Sequence, residues 1–157
     1  MLPKMMKKIF VIIFITSYPM MSKAIEPLTK YSFENVLEND EANHFILEGC
    51  ISLYSAVTKL IINRYPELGE QFHEMVNTIY PYGIISLSKI KNISHSEAEY
   101  IFFNNVKELT DKYIDEMNNN GKKNGSYFKD SFLADDLSFC HEVTKYLQMM
   151  VLESLGE

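Results

Sequence analysis

Few residues in this chain could do covalent chemistry, and two of them stand out. Cys50 and Cys140 are its only cysteines. Catalytic dithiols usually sit close in sequence, as in Cys-x-x-Cys, whereas these two are far apart, so a redox-active pair is disfavoured. In an oxidising compartment an even cysteine count reads as a disulfide. Such a crosslink would enclose roughly 90 residues and contribute at most about 4–5 kcal/mol by restricting the unfolded chain. The competing reading is two unpaired thiols acting as small buried hydrophobes.

The histidines are His44, His73, His95 and His141. His73-Glu74 and His141-Glu142 each begin like the zinc motif His-Glu-x-x-His, but Asn77 and Lys145 occupy the position of the second histidine. The pair Asp135-Asp136 could divide acid and base roles if burial separated their pKa values. Its place in the opening turns of a helix favours a simpler role against the helix dipole. Ser52, Ser55 and Ser138 lack a Gly-x-Ser-x-Gly elbow. No catalytic residue, metal ligand or cofactor site is therefore expected, and the chain reads as a non-enzyme.

Compartment is written at the N-terminus. Lys4, Lys7 and Lys8 precede the apolar run Ile9–Ile15, Pro19 follows, and Ser22-Lys23-Ala24 places small residues where a signal peptidase reads. Residues 1–24 are thus expected to be a signal peptide, with export to a periplasm or beyond the cell. The apolar run is about half the roughly 20 residues that a spanning helix needs, so a retained anchor over Ile9–Met21 is the weaker reading. Cleavage after Ala24 removes Lys4, Lys7, Lys8 and Lys23 but no acid, taking the formal net charge from −6 to −10. A surface of that sign repels phosphate backbones and anionic membranes, which disfavours nucleic acid and lipid as partners; the charge reads first as plain solubility, with a basic protein partner as the sharper alternative.

Residues 25–157 have the size of one domain with one core. Four long helices are expected. The first spans 41–64, with Asp40 as cap and Ile46, Cys50, Leu53, Val57 and Leu60 spaced 4, 3, 4 and 3 along one stripe. A short turn of helix over 31–37, capped by Ser32, precedes it. The second starts after Pro66 and carries Leu68, Phe72, Met75, Val76 and Ile79. Tyr80-Pro81-Tyr82-Gly83 should kink or break it, leaving a shorter helix over 84–91. The third opens with the capping box Ser94/Glu97, buries Ala98, Phe102, Val106, Leu109, Tyr113 and Met117, and stops at Asn118-Asn119-Asn120-Gly121. An exposed, mobile loop follows over 118–126. The fourth covers 129–155, capped by Asp130 or Ser131, with Leu133, Leu137, Cys140, Val143, Leu147 and Met150 on its stripe and Gly156 at its exit. The expected fold is an all-α, irregular four-helix-type bundle, its first and last long helices linked through Cys50 and Cys140.

The remaining chemistry is recognition. Phe72, Met75, Ile79, Tyr80, Tyr82 and Phe102 gather around the proline and form the candidate contact or ligand patch. The leading expectation is an exported protein-interaction module that binds another protein. The alternative is a carrier for a small apolar ligand in a cavity lined by Phe72, Met75, Ile79 and Phe102.

Overall fold

The computed structural model describes residues 24–155. The expected leader, apart from Ala24, and the exit residue Gly156 lie outside them. A single 3₁₀ turn, Leu28–Lys30, is followed by the short helix α1 (Phe33–Glu38) and four long helices: α2 (Asp40–Ile61), α3 (Pro66–Lys91), α4 (His95–Asn124) and α5 (Leu133–Leu155). No strand occurs among the described residues, and the fold is an all-α bundle.

α2 is the central helix because it is the most apolar. Ile46, Cys50, Leu53 and Val57 of the predicted stripe are all buried, with Leu47, Ile51, Tyr54 and Ala56 filling the flanks. A helix buried on so wide an arc must be covered from several sides. α3 and α4 pack on it, α5 crosses it, and α1 closes its N-terminal end. The Cys50–Cys140 disulfide joins α2 to α5 with the two Cα atoms 5.3 Å apart, as the sequence predicts.

Several boundaries differ from expectation, each for a local reason. The cap of α2 is Asn39, not Asp40. Its extended backbone lets the side-chain oxygen accept from Glu41 N at 2.9 Å and Ala42 N at 3.0 Å. Asp40 instead accepts from Lys89 Nζ at 2.8 Å, pinning the start of α2 to the end of α3. α3 runs unbroken through Pro81, with no separate helix over 84–91. Pro81 removes the donor that would serve the Asn77 carbonyl, but both residues are exposed, so water can replace the missing bond.

α4 begins as predicted, with Ser94 Oγ accepting from Glu97 N at 3.3 Å. It does not stop at Asn118. It continues to Asn124 and ends on Gly125, whose φ of 71° suits glycine. The expected mobile loop is instead a knotted turn. Asn120 is buried, and its amide donates toward the carbonyls of Ser126 (3.0 Å), Tyr127 (2.9 Å) and Lys129 (2.9 Å), while its oxygen accepts from Asn124 at 2.7 Å. Asp130 adopts φ 53° and caps nothing, whereas Ser131 Oγ accepts from Leu133 N at 3.3 Å where α5 starts.

Candidate functional site

The six residues predicted to form one patch do not meet at one place. Ile79 and Phe102 are fully buried, and the Tyr80 ring meets Phe102 edge-on at 5.4 Å. This part of the core is full. A Cβ on Gly83 would lie 2.2 Å from Phe102 Cζ, so the ring takes the space that only glycine leaves. The cavity expected between Phe72, Met75, Ile79 and Phe102 is therefore not bounded by those four residues. Phe72 and Met75 instead line a shallow groove of about 280 Å³ with Tyr54, Leu68, Leu137 and His141. Tyr82 faces a different groove.

That second groove, of about 340 Å³, is walled by Phe33 and Val36 of α1, Asn43 and Leu47 of α2, Tyr82 of α3, and Val143, Tyr146, Leu147 and Met150 of α5. Its lining follows from helix periodicity: Val143, Leu147 and Met150 continue the predicted α5 stripe, with Tyr146 beside them. Phe33 holds Tyr146 edge-on at 5.3 Å, fixing one wall. The sole amide in the lining is already engaged, since Asn43 donates to Val36 O at 3.1 Å. What faces the opening is hydrocarbon and aromatic edge.

Beyond the groove, α5 leaves the bundle. Met149, Met150, Val151 and Leu152 are 54, 46, 36 and 47% exposed. Four successive residues step about 100° each and cover the whole helix circumference, so this turn is partly exposed all the way round. The sequence predicts Met150 as a core position; the structure puts it on the rim of the groove.

A buried acid lies elsewhere. Asp136 is fully buried, and its Oδ1 accepts from Leu28 N at 2.8 Å and Thr29 N at 3.2 Å. Those are the orphan donors of the 3₁₀ turn, so a side chain of α5 caps a turn 108 residues upstream. Oδ2 is buried without a partner, as is the Tyr113 hydroxyl. Burial pushes the Asp136 carboxyl above its ordinary range, against the two backbone donors that lower it. Burial, then the Asp136 charge, push the Tyr113 hydroxyl up as well. Leu28 completes the clamp: it is 1% exposed and sits where a Cβ on Gly49 would be, 2.3 Å from Leu28 Cδ2. Burial also pushes Tyr54 up to about 12, partly offset by its hydrogen bond with Thr144 at 3.3 Å.

The histidines remain dispersed. His44 Nε2 lies 3.3 Å from Glu48 Oε2, which also accepts from Asn105 at 3.0 Å, while His73, His95 and His141 are exposed. Among the described residues no group of three or more His, Cys, Asp or Glu side chains is arranged to hold a metal ion. Sequence reasoning placed Tyr113 in the core but missed Leu28, Gly49 and Asn120 as structural anchors, and favoured a dipole role for Asp136. Comparison with protein-family models, with curated proteins and with solved structures finds no match.

Proposed function

We propose that this chain is an exported helical interaction module whose groove between α1, α2, α3 and α5 holds an apolar, positively charged segment of another protein. The observation that carries the reading is an apolar groove whose α5 wall continues into the exposed turn Met149–Leu152. Methionine-rich surfaces of this kind adapt their shape to a bound helix. The sign of the partner follows from the walls. Glu34 and Glu38 on α1 and Glu142 and Glu153 on α5 are exposed, against Lys145 alone on those stretches. Rim charges of this sort steer association more than they tighten it, about 0.2–1 kcal/mol each. Export rests on the leader over Met1–Ala24, and the disulfide is compatible with an oxidising compartment.

The test is a photo-crosslinking residue placed at Met150 in the native host, with exposed Lys107 on α4 as the control position. One partner crosslinked from 150 and not from 107, through a segment that is apolar and basic, supports the reading. Crosslinks that are equal at both positions, or an acidic crosslinked segment, defeat it. The second reading, a carrier for a small apolar ligand, draws on the smaller groove, where Phe72 and Met75 are joined by Tyr54 and Leu137. A stoichiometric small molecule in the native mass spectrum of the purified protein would favour it.

A further inference from the structure

A different surface lies past the C-terminal end of α2, at the other end of that helix from the apolar groove. It is an open cleft of about 570 Å³ lined by Arg64, Asn118, Lys122, Ser126, Tyr127 and Phe128. The whole chain carries a formal net charge of −6, yet its cations converge here. Arg64, its only arginine, and Lys122 line the cleft, and Lys123 and Lys129 flank it in sequence. Elsewhere Lys30 pairs with Glu26, Lys59 with Asp111, Lys89 with Asp40 and Lys112 with Glu108, while Lys91, Lys107 and Lys145 stand singly without an ion pair among the described residues. Among the described residues none of the four cations around the cleft forms an ion pair. Arg64 has Glu67 three residues away without pairing to it, and its guanidinium lies 5.4 Å from the Tyr65 ring. Lys122 and Lys123 offset the negative end of the α4 dipole, and Arg64, in the turn just past α2, stands at the negative end of that helix.

The floor of the cleft is rigid and polar in a directed way. Asn120 draws the Ser126 carbonyl inward at 3.0 Å. In a trans peptide the following N–H points the opposite way, so the Tyr127 N–H faces outward from the turn. Ser126 Oγ accepts from Phe128 N and Lys129 N, both at 3.3 Å, which leaves its own proton to donate. The Tyr127 ring rests against Gly121, where a Cβ would meet it at 3.2 Å. Two cations, a serine hydroxyl and two aromatic residues thus line one concave surface. Acceptors for an anion are matched by donors, and a ring attached to that anion is matched by Tyr127 and Phe128.

We propose that this cleft binds a small ring-bearing anion, a phosphate or carboxylate carried on a planar or saccharide ring, with Arg64 as the principal charge contact. Arg64 is suited to this because its planar fork can engage two oxygens at once, whereas Lys122 acts as a point charge. The site does not depend on the groove described above and can succeed or fail without it.

The experiment is an amide-shift titration of the purified protein with phenyl phosphate, and separately with inorganic phosphate and with phenol. Phenyl phosphate should saturate shifts at Arg64, Lys122, Tyr127 and Phe128, with inorganic phosphate and phenol each weaker by about tenfold or more. Arg64→Gln should weaken phenyl phosphate by about tenfold and Lys122→Gln by a few-fold, since a bidentate charge contact outweighs a point charge. Both positions are exposed, so neither substitution touches the core. Absence of saturation at millimolar phenyl phosphate, shifts spread over every surface lysine, or an unchanged affinity in Arg64→Gln would each overturn the proposal.

Discussion

Replacing Asp136 by asparagine, and separately by alanine, separates two effects that the buried carboxylate combines. In the native protein Oδ1 satisfies the Leu28 and Thr29 amides, while Oδ2 is buried without a donor. Alanine removes the acceptor from both amides, of which the Leu28 amide is buried, so the loss should be about 2–4 kcal/mol at neutral pH. Asparagine keeps an acceptor for both, removes the charge and places an amide donor where Oδ2 faced none. Its stability at neutral pH should fall within about 1 kcal/mol of the parent. The pH dependence carries the stronger test. The native carboxyl is raised above 3.8, chiefly by burial, so protonation favours the folded state. That contribution is complete below 3.8 and is lost as pH rises through the raised native value. The parent should therefore gain stability relative to Asp136→Asn as pH falls from neutral, with the difference levelling off below 3.8. Urea midpoints of both proteins across that range, at constant m, read the difference directly and cancel acid effects common to both. A difference that does not change with pH refutes the raised carboxyl, and an asparagine variant as weak as the alanine one refutes the clamp.

Two further perturbations probe the frame around the sites. Removing the disulfide by Cys50→Ala with Cys140→Ala should lower stability by up to about 4–5 kcal/mol, because the bridge closes a long loop in the unfolded chain; a urea midpoint unmoved by reductant in the parent would contradict this. Asn120→Ala removes two N–H donors shared among three carbonyls, of which that of Lys129 keeps a bond from Asn124, and should cost about 2–3 kcal/mol. It should also speed amide exchange over residues 126–130, and unaltered exchange there would show that the turn holds itself without Asn120.

The long helices were legible because each had to bury one stripe. The 4, 3, 4, 3 spacing of Ile46, Cys50, Leu53, Val57 and Leu60 admits few other structures, and Ser94 with Glu97 announces a helix start by a purely local bond. Local signals misled where a tertiary partner outweighed them. Asn118-Asn119-Asn120-Gly121 has the composition of a helix end, yet Asn120 extends α4 because its acceptors, six to nine residues downstream, exist only after the chain has reversed. Pro81 reads as a break, yet its cost depends on whether the Asn77 carbonyl is buried or wet, and sequence does not record that.

The sites were less legible for a related reason: periodicity says which face of a helix is apolar, but not whether the bundle reaches it. Val143, Leu147 and Met150 fall on an apolar stripe and read as core, yet together with Tyr82 they line an open groove. Phe72, Met75 and Ile79 share one stripe of α3, but the first two open onto a groove with Leu137 and His141 of α5, whereas Ile79 is fully buried and Phe102 meets Tyr80. Arg64, in the turn after α2, and Lys122, on α4, are 58 positions apart, and no pattern along the chain joins them. The turn Met149–Leu152 makes the same argument in its sharpest form. A helix whose apolar residues ran on only to fill the core would become polar once it left the bundle, because exposed hydrocarbon contributes nothing to folding and favours aggregation. α5 stays apolar around its full circumference after leaving the bundle, and a surface outside the fold is what would give those side chains something to bury against.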